Sequence, residues 1–361
     1  MKKISILIIV IIFTLTGCYD QKELNKIAIL TATEISKKDN EFIISAKIVN
    51  TEKKDNEKEK YTTYQGKGKT IQDAYRQIKL SSPKYIYPEH LEILIIDEEI
   101  AKNNINEILD FYLRNPIIRT EFYVIISKNQ NILNETNPTN IANTLKTNNK
   151  YQGISNLVTF NDLTDMLLNP NEEIILPSIM LDDKKQYQIS GLAIFKDNKL
   201  INYLTNEESI TYNMIKNNVT NTIINYKCSN NNYLSVETTK SKAKIKINNN
   251  QINIILNISA NINESNCNIK LNNKQELQEL KQELEKHLNN KLSNDINTIR
   301  NKYNTDIFGF LDEIYKHNYK TYQKVYNNWN SSIFKSNPIN IKTNIDIVGK
   351  GNIMENIYEK N

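Results

Sequence analysis

Three cysteines and three histidines are the residues of this 361-residue chain best suited to nucleophilic or ligand chemistry. His90, His287 and His317 share no metal-ligand spacing with one another or with a cysteine. His90 follows Glu89 ahead of an apolar run, an arrangement open to acid–base work, but a hydrogen-bonded structural role is the expectation. The chain has no Gly-rich phosphate loop, Gly-x-Ser-x-Gly elbow or His-Glu-x-x-His helix, and its eight glycines leave cofactor-cradling loops scarce. Neither an enzyme nor a cofactor protein is expected. Cys18 is a different case. Ahead of it stand Lys2 and Lys3, an apolar core Ile4–Leu15 broken only by Ser5 and Thr14, and the small residue Gly17. That core lies within the roughly 7–15 residues of a secretory segment and short of the ~20 needed for a bilayer-spanning helix. Cys228 and Cys267 remain, an even pair flanking one predicted β region. A bridge between them and two buried free thiols are both open.

Leu15-Thr16-Gly17-Cys18 resembles the lipobox of bacterial lipoproteins, in which the thiol takes a diacylglyceryl group and the peptide is cut just before it. Residues 1–17 are then a cleaved signal peptide. The mature chain begins at lipidated Cys18 on the outer face of the cytoplasmic membrane, a disulfide-permissive compartment. Its 344 residues exceed one core, so two or three domains are expected. Losing Lys2 and Lys3 lowers the formal charge from +5 to +3, and no Lys/Arg stripe appears, so nucleic acid is not an expected partner. Asparagine runs such as Asn230–Asn232 and Asn248–Asn250 read as turns.

The periodicity predicts strands at Ile27–Ala32 and Phe42–Ile48, a charged excursion over 53–60, and a turn at Gly66 and Gly68. A helix capped by Thr70 follows, with Ile71, Ala74, Tyr75 and Ile78 on its apolar side. Leu91–Ile96 is a continuous apolar strand of the kind buried on both faces. A helical stripe through Ile105–Leu113 and a strand at Phe122–Ile126 complete a βαβ unit. Further helices around Ile141–Leu145 and Phe160–Leu168 lead to a strand over Glu172–Leu181. Polar residues 182–188 mark the boundary between an N-terminal α+β region, 18–182, with room for two subdomains, and a C-terminal α+β domain, 183–361.

The second half opens with a hairpin, Gly191–Phe195 and Leu200–Leu204, then a helix capped by Asn206. Strands follow at Thr220–Tyr226 and Leu234–Ile247, the latter changing parity at a bulge between Thr239 and Lys242. Ile252–Ile262 alternates without a break, and Lys274–Tyr303 is a long amphipathic helix expected to cover this sheet through Leu280, Leu284 and Leu288. The aromatic stripe Tyr319, Tyr322, Tyr326 and Trp329 has helical spacing, which predicts core packing. A last strand runs over Ile339–Ile347. The fold class is α+β, with mixed and antiparallel sheets and packed helices.

In series, several stretches resemble the lipoprotein C subunit of GerA-type spore germinant receptors, the Ger(x)C family. They are Gly17–Leu24 (with Tyr19 where the family usually has Trp), Gly68–Ala74, Pro88–Ile96, Leu109–Pro116 with Arg119, Gly191–Lys196, Tyr322–Trp329 and Asp346–Gly351. The resemblance implies a multi-domain α+β fold and a non-enzymatic subunit on the outer face of the inner spore membrane. It also implies two integral-membrane partners, the A and B subunits, and a role in nutrient-triggered germination. It supplies no catalytic or cofactor residues, and gives a defined chemical role to Cys18 alone. The competing reading is a solute-binding lipoprotein that delivers a ligand to a transporter, which predicts two similar α/β lobes around a cleft. The late position of the helices in the second half disfavours it.

Overall fold

The computed structural model describes residues 26–49, 61–229, 231–248 and 251–350, so the signal segment, Cys18 and the charged excursion lie outside the described residues. The first nine strands form one mixed sheet in the order β3-β2-β1-β5-β6-β7-β8-β9, with β4 added beside β1. Their spans are β1 Ile27–Lys38, β2 Glu41–Val49, β3 Tyr61–Gly68, β4 Tyr85–Tyr87, β5 Ile93–Asp97, β6 Tyr123–Ser127, β7 Ile175–Leu181, β8 Tyr187–Lys196 and β9 Lys199–Tyr203. β1, β5, β6 and β7 run parallel, and the flanking pairs are antiparallel.

Helices cover both faces of this sheet: α1 Ile71–Ser81, α2 Glu98–Asn103, α3 Asn106–Leu113, α4 Ile132–Glu135, α5 Pro138–Tyr151 and α6 Phe160–Leu168. The continuous apolar run of β5 is thereby explained. Leu94 and Ile96 enter a core with Ile78, Ile108 and Tyr112, while Ile93 and Ile95 enter another with Ile132, Ile141 and Leu145. As expected, Thr70 caps α1, its side chain accepting from the Asp73 N–H. The glycines at 66 and 68 are not a turn; they belong to strand β3. A Cβ there would meet the Ala74 carbonyl oxygen at 2.1 Å or its nitrogen at 2.6 Å, so α1 can lie on β3 only over bare glycine. The polar stretch after Leu181 forms the turn into β8, and the first sheet continues past it to Tyr203.

Beyond β9, α7 (Asn206–Ile215) starts one residue earlier than expected at its cap. Thr205 and Glu208 exchange side chain–backbone hydrogen bonds in a capping box, displacing Asn206 from that role. The second sheet has the order β10-β11-β12-β13: Ile223–Lys227, Tyr233–Asn248, Gln251–Ser265 and Ile339–Gly349. The register of β11 slips between Thr238 and Lys240, which turns Ala243 and Ile245 onto the face already used by Val236. α8, Lys274–Tyr303, covers that face through Leu280, Leu284, Leu288 and Leu292. It also closes the outer edge of β13, where the Thr343 and Ile345 N–H groups donate to Asn289 and Glu285 at 2.8 and 2.9 Å.

The opposite face stays open, with Lys240, Lys242, Lys244 and Lys246 exposed beside an asparagine ladder, Asn344 donating to Asn257 at 2.9 Å. After α8 come α9 (Phe310–His317) and α10 (Tyr319–Val325), then short turns to Ser336. A shared core ties the two sheets, since Ile175, Leu192 and Ile194 pack in one cluster with Ile254, Ile296, Phe308 and Trp329.

Candidate functional site

The residues singled out for chemistry fall in separate places. Cys18 is outside the described residues. Cys228, just past β10, and Cys267, just past β12, are joined in a disulfide with Cα atoms 6.1 Å apart. His90 is exposed in a one-turn helix, with the Tyr87 ring 6.0 Å away. His287 meets the Tyr226 ring edge-on within α8, and burial, with Lys291 second, holds its imidazole below the ordinary value. His317 lies 3.5 Å from Glu313 at the end of α9. Among the described residues no group of three or more His, Cys, Asp or Glu is placed to hold a metal ion.

What the fold does gather is the family-like sequence of the first half. Gly68–Ala74 opens α1, Leu109–Pro116 closes α3, and Pro88 follows β4, and these border two adjoining hollows of about 650 and 310 Å³. Gln72, Phe111 and Asn115 line both. Phe111 stacks on Tyr75 at 5.4 Å, and the Tyr75 hydroxyl is tied to Thr33 and Tyr112 at 2.9 and 3.3 Å, which fixes the floor. The rim carries Arg76, Lys79 and an Asp110–Arg114 pair at 2.7 Å. An apolar floor with two amides suits a peptide or an apolar side chain.

Two buried polar clusters escaped sequence reasoning. Asp306, at the junction of the two halves, accepts from the Phe308, Gly309 and Leu311 N–H groups and from the Trp329 indole at 2.9–3.1 Å. Burial raises its pKa, and the hydrogen bonds from Leu311 and Trp329 work the other way. Asp306 also borders a cavity of about 290 Å³, with Glu172 held by Lys216 at 2.8 Å and Glu173 accepting from Thr305. The sequence signal was an Asp three residues before Gly309 at a helix start. The second cluster clamps α4. Glu34 accepts from the Ile132 and Leu133 N–H groups at 3.2 and 3.1 Å, and Lys47 donates to the Thr136 carbonyl at 2.7 Å. Nothing in the pattern marks either residue: Glu34 lies past the apolar run Ile27–Ala32, and Lys47 takes the polar place between Ala46 and Ile48.

The aromatic stripe divides. Trp329 is buried as expected, but Tyr319 and Tyr326 are exposed, because α10 rests on the core only through Val325 and part of Tyr322.

Two family models match, a spore germination protein N-terminal domain over residues 20–181 and the C-terminal region of spore germination B3/GerAC-like proteins over 190–351. Between them they span nearly the whole chain, which belongs to the Ger(x)C family. Spore germination protein KC of Bacillus subtilis (strain 168) is 24% identical, the match covering 94% of this chain and 93% of that protein. Spore germination protein GerQC of Bacillus cereus is 23% identical over 60% of this chain and 64% of its own length. The crystal structure of the GerBC protein has the same fold, with a TM-score of 0.56 at 16% identity, covering 91% of this chain and all of that one. A role in spore germination follows from this membership.

Proposed function

We propose that this chain is the lipid-anchored, non-enzymatic C subunit of a spore nutrient-germinant receptor, acting in receptor assembly and signalling. A diacylglyceryl group on Cys18 holds it at the outer face of the inner spore membrane, where it works with the integral-membrane A and B subunits. The observation that carries this reading is the pair of family matches, over residues 20–181 and 190–351, together with the match along most of spore germination protein KC. The groove between α1 and α3 is the surface we assign to an extracytoplasmic segment of a partner subunit, since three family-like stretches border it. The solute-carrier alternative needs two similar lobes; the halves here differ in strand number, pairing and helical cover.

Replacing Cys18→Ala tests the anchor, because the apolar core ahead of it is too short to span the bilayer. In fractionated dormant spores the variant should leave the membrane fraction, with loss of the response to one germinant class in a strain lacking other receptors. Membrane retention at normal abundance together with normal germination would overturn the anchor.

A further inference from the structure

The exposed tyrosines of α9, α10 and the turn that follows α10 make one continuous aromatic face. Tyr315, Tyr319 and Tyr326 are 46, 55 and 48% exposed, and Tyr322 is half-buried between them. Ring centroids are 5.0 Å apart for Tyr315–Tyr322, 5.8 Å for Tyr319–Tyr322 and 5.4 Å for Tyr322–Tyr326. The latter two pairs are stacked. Their π-faces are turned on one another, so they are poorly placed to sandwich a base or a sugar. Hydroxyls and ring edges are what this surface offers, and none of the four hydroxyls has a hydrogen-bond partner among the described residues.

Charge is arranged to match. Lys316 pairs with Asp312, but Lys320 and Lys324, both exposed on α10, make no ion pair among the described residues. Apolar rings with polar tips beside unpaired ammonium groups fit the headgroup zone of a bilayer, where tyrosine concentrates and lysines meet lipid phosphates. A protein partner is a poorer match, because lysine is depleted at the centre of such interfaces.

We propose that this face, centred on Tyr319, Tyr322, Tyr326, Lys320 and Lys324, docks on an anionic phospholipid surface. It gives the second half of the chain a non-covalent membrane contact of its own. The proposal rests on the reading of the chain as membrane-anchored, since a tether raises the effective concentration at which a weak face engages.

The test uses the chain from residue 19 onward, which keeps every described residue and has no acyl group. It is sedimented with vesicles of phosphatidylcholine alone or mixed with phosphatidylglycerol, at low and high salt. Binding is expected to the mixed vesicles and to fall with salt. Lys320→Glu with Lys324→Glu should weaken it roughly 25-fold or more, at about fivefold per lysine lost. Tyr319→Ser with Tyr326→Ser should weaken it as well. Both variants change exposed side chains, and a denaturant midpoint equal to that of the parent confirms the fold. Charge reversal at Lys242 and Lys244, on the open sheet face, should matter less. Absence of lipid-dependent sedimentation, tenfold loss only in the Lys242/Lys244 variant, or a tyrosine variant that binds vesicles normally yet fails in germination would each overturn the proposal. The last result would indicate a protein partner. Cys18 is tested separately in spore fractions, so failure of one reading leaves the other standing.

Discussion

The two sheets solve the problem of burial in opposite ways. In the first, β5 is sandwiched, so its consecutive residues Leu94 and Ile95 are both fully buried and serve different cores. In the second, β12 has one helix-covered face and one open face, so Leu256 is buried while its neighbour Ile255 is only half-covered. A sandwiched strand depends on several helices arriving from elsewhere in sequence. A one-sided sheet is covered chiefly by one long helix, α8, with α7 and the segment after α8 packed beside it, and its outer face is left free to carry charge, here four lysines.

Alanine substitutions should make this contrast measurable. Leu94→Ala and Ile95→Ala should each cost about 2–5 kcal/mol, as should Leu256→Ala and Leu284→Ala, whereas Ile255→Ala should cost about 1 kcal/mol or less. Urea unfolding of the chain from residue 19 reads all five. Equal losses at Ile255 and Leu256 would mean that the open face is covered.

A smaller effect separates the halves by their cross-link. The Cys228–Cys267 bridge closes a loop of 39 residues in the second half. Replacing both by Ser should lower stability by about 2–4 kcal/mol. Hydrogen exchange should quicken in β10–β12 and stay unchanged in β5 and β6; uniform loss of protection would show that the shared core makes the two halves one cooperative unit.

The smallest effect is a pH dependence. Burial raises the pKa of Glu34 in the folded chain, against backbone hydrogen bonds from Leu133, Ile132 and Asn131 that lower it. The folded state therefore holds this proton when the unfolded state has lost it. The contribution to stability is full below the unfolded value and declines as pH rises through the folded one. Glu34→Gln should flatten the decline in urea midpoint from the ordinary carboxylate range up to the raised value. An unchanged slope would assign the dependence to Asp97, Glu173 or Asp306, whose pKa values are also raised by burial.

Much of this architecture was legible in the residues. Alternation placed β12, a three-and-four repeat placed α8, and unbroken apolarity marked β5 as a two-sided strand. These are local periodicities, written along the chain by the face that each element must bury. The mixed and antiparallel α+β class and the family also followed from the sequence. Tertiary contact alone decided the rest. Gly66 and Gly68 read as turn residues until α1 is laid on β3. Tyr319 and Tyr326 have the spacing of core residues, yet α10 meets the core over too narrow a stripe to bury them. Glu34, Lys47 and Asp306 are satisfied by backbone groups of helices far away in sequence or folded around them, and no local pattern encodes the arrival of such a partner.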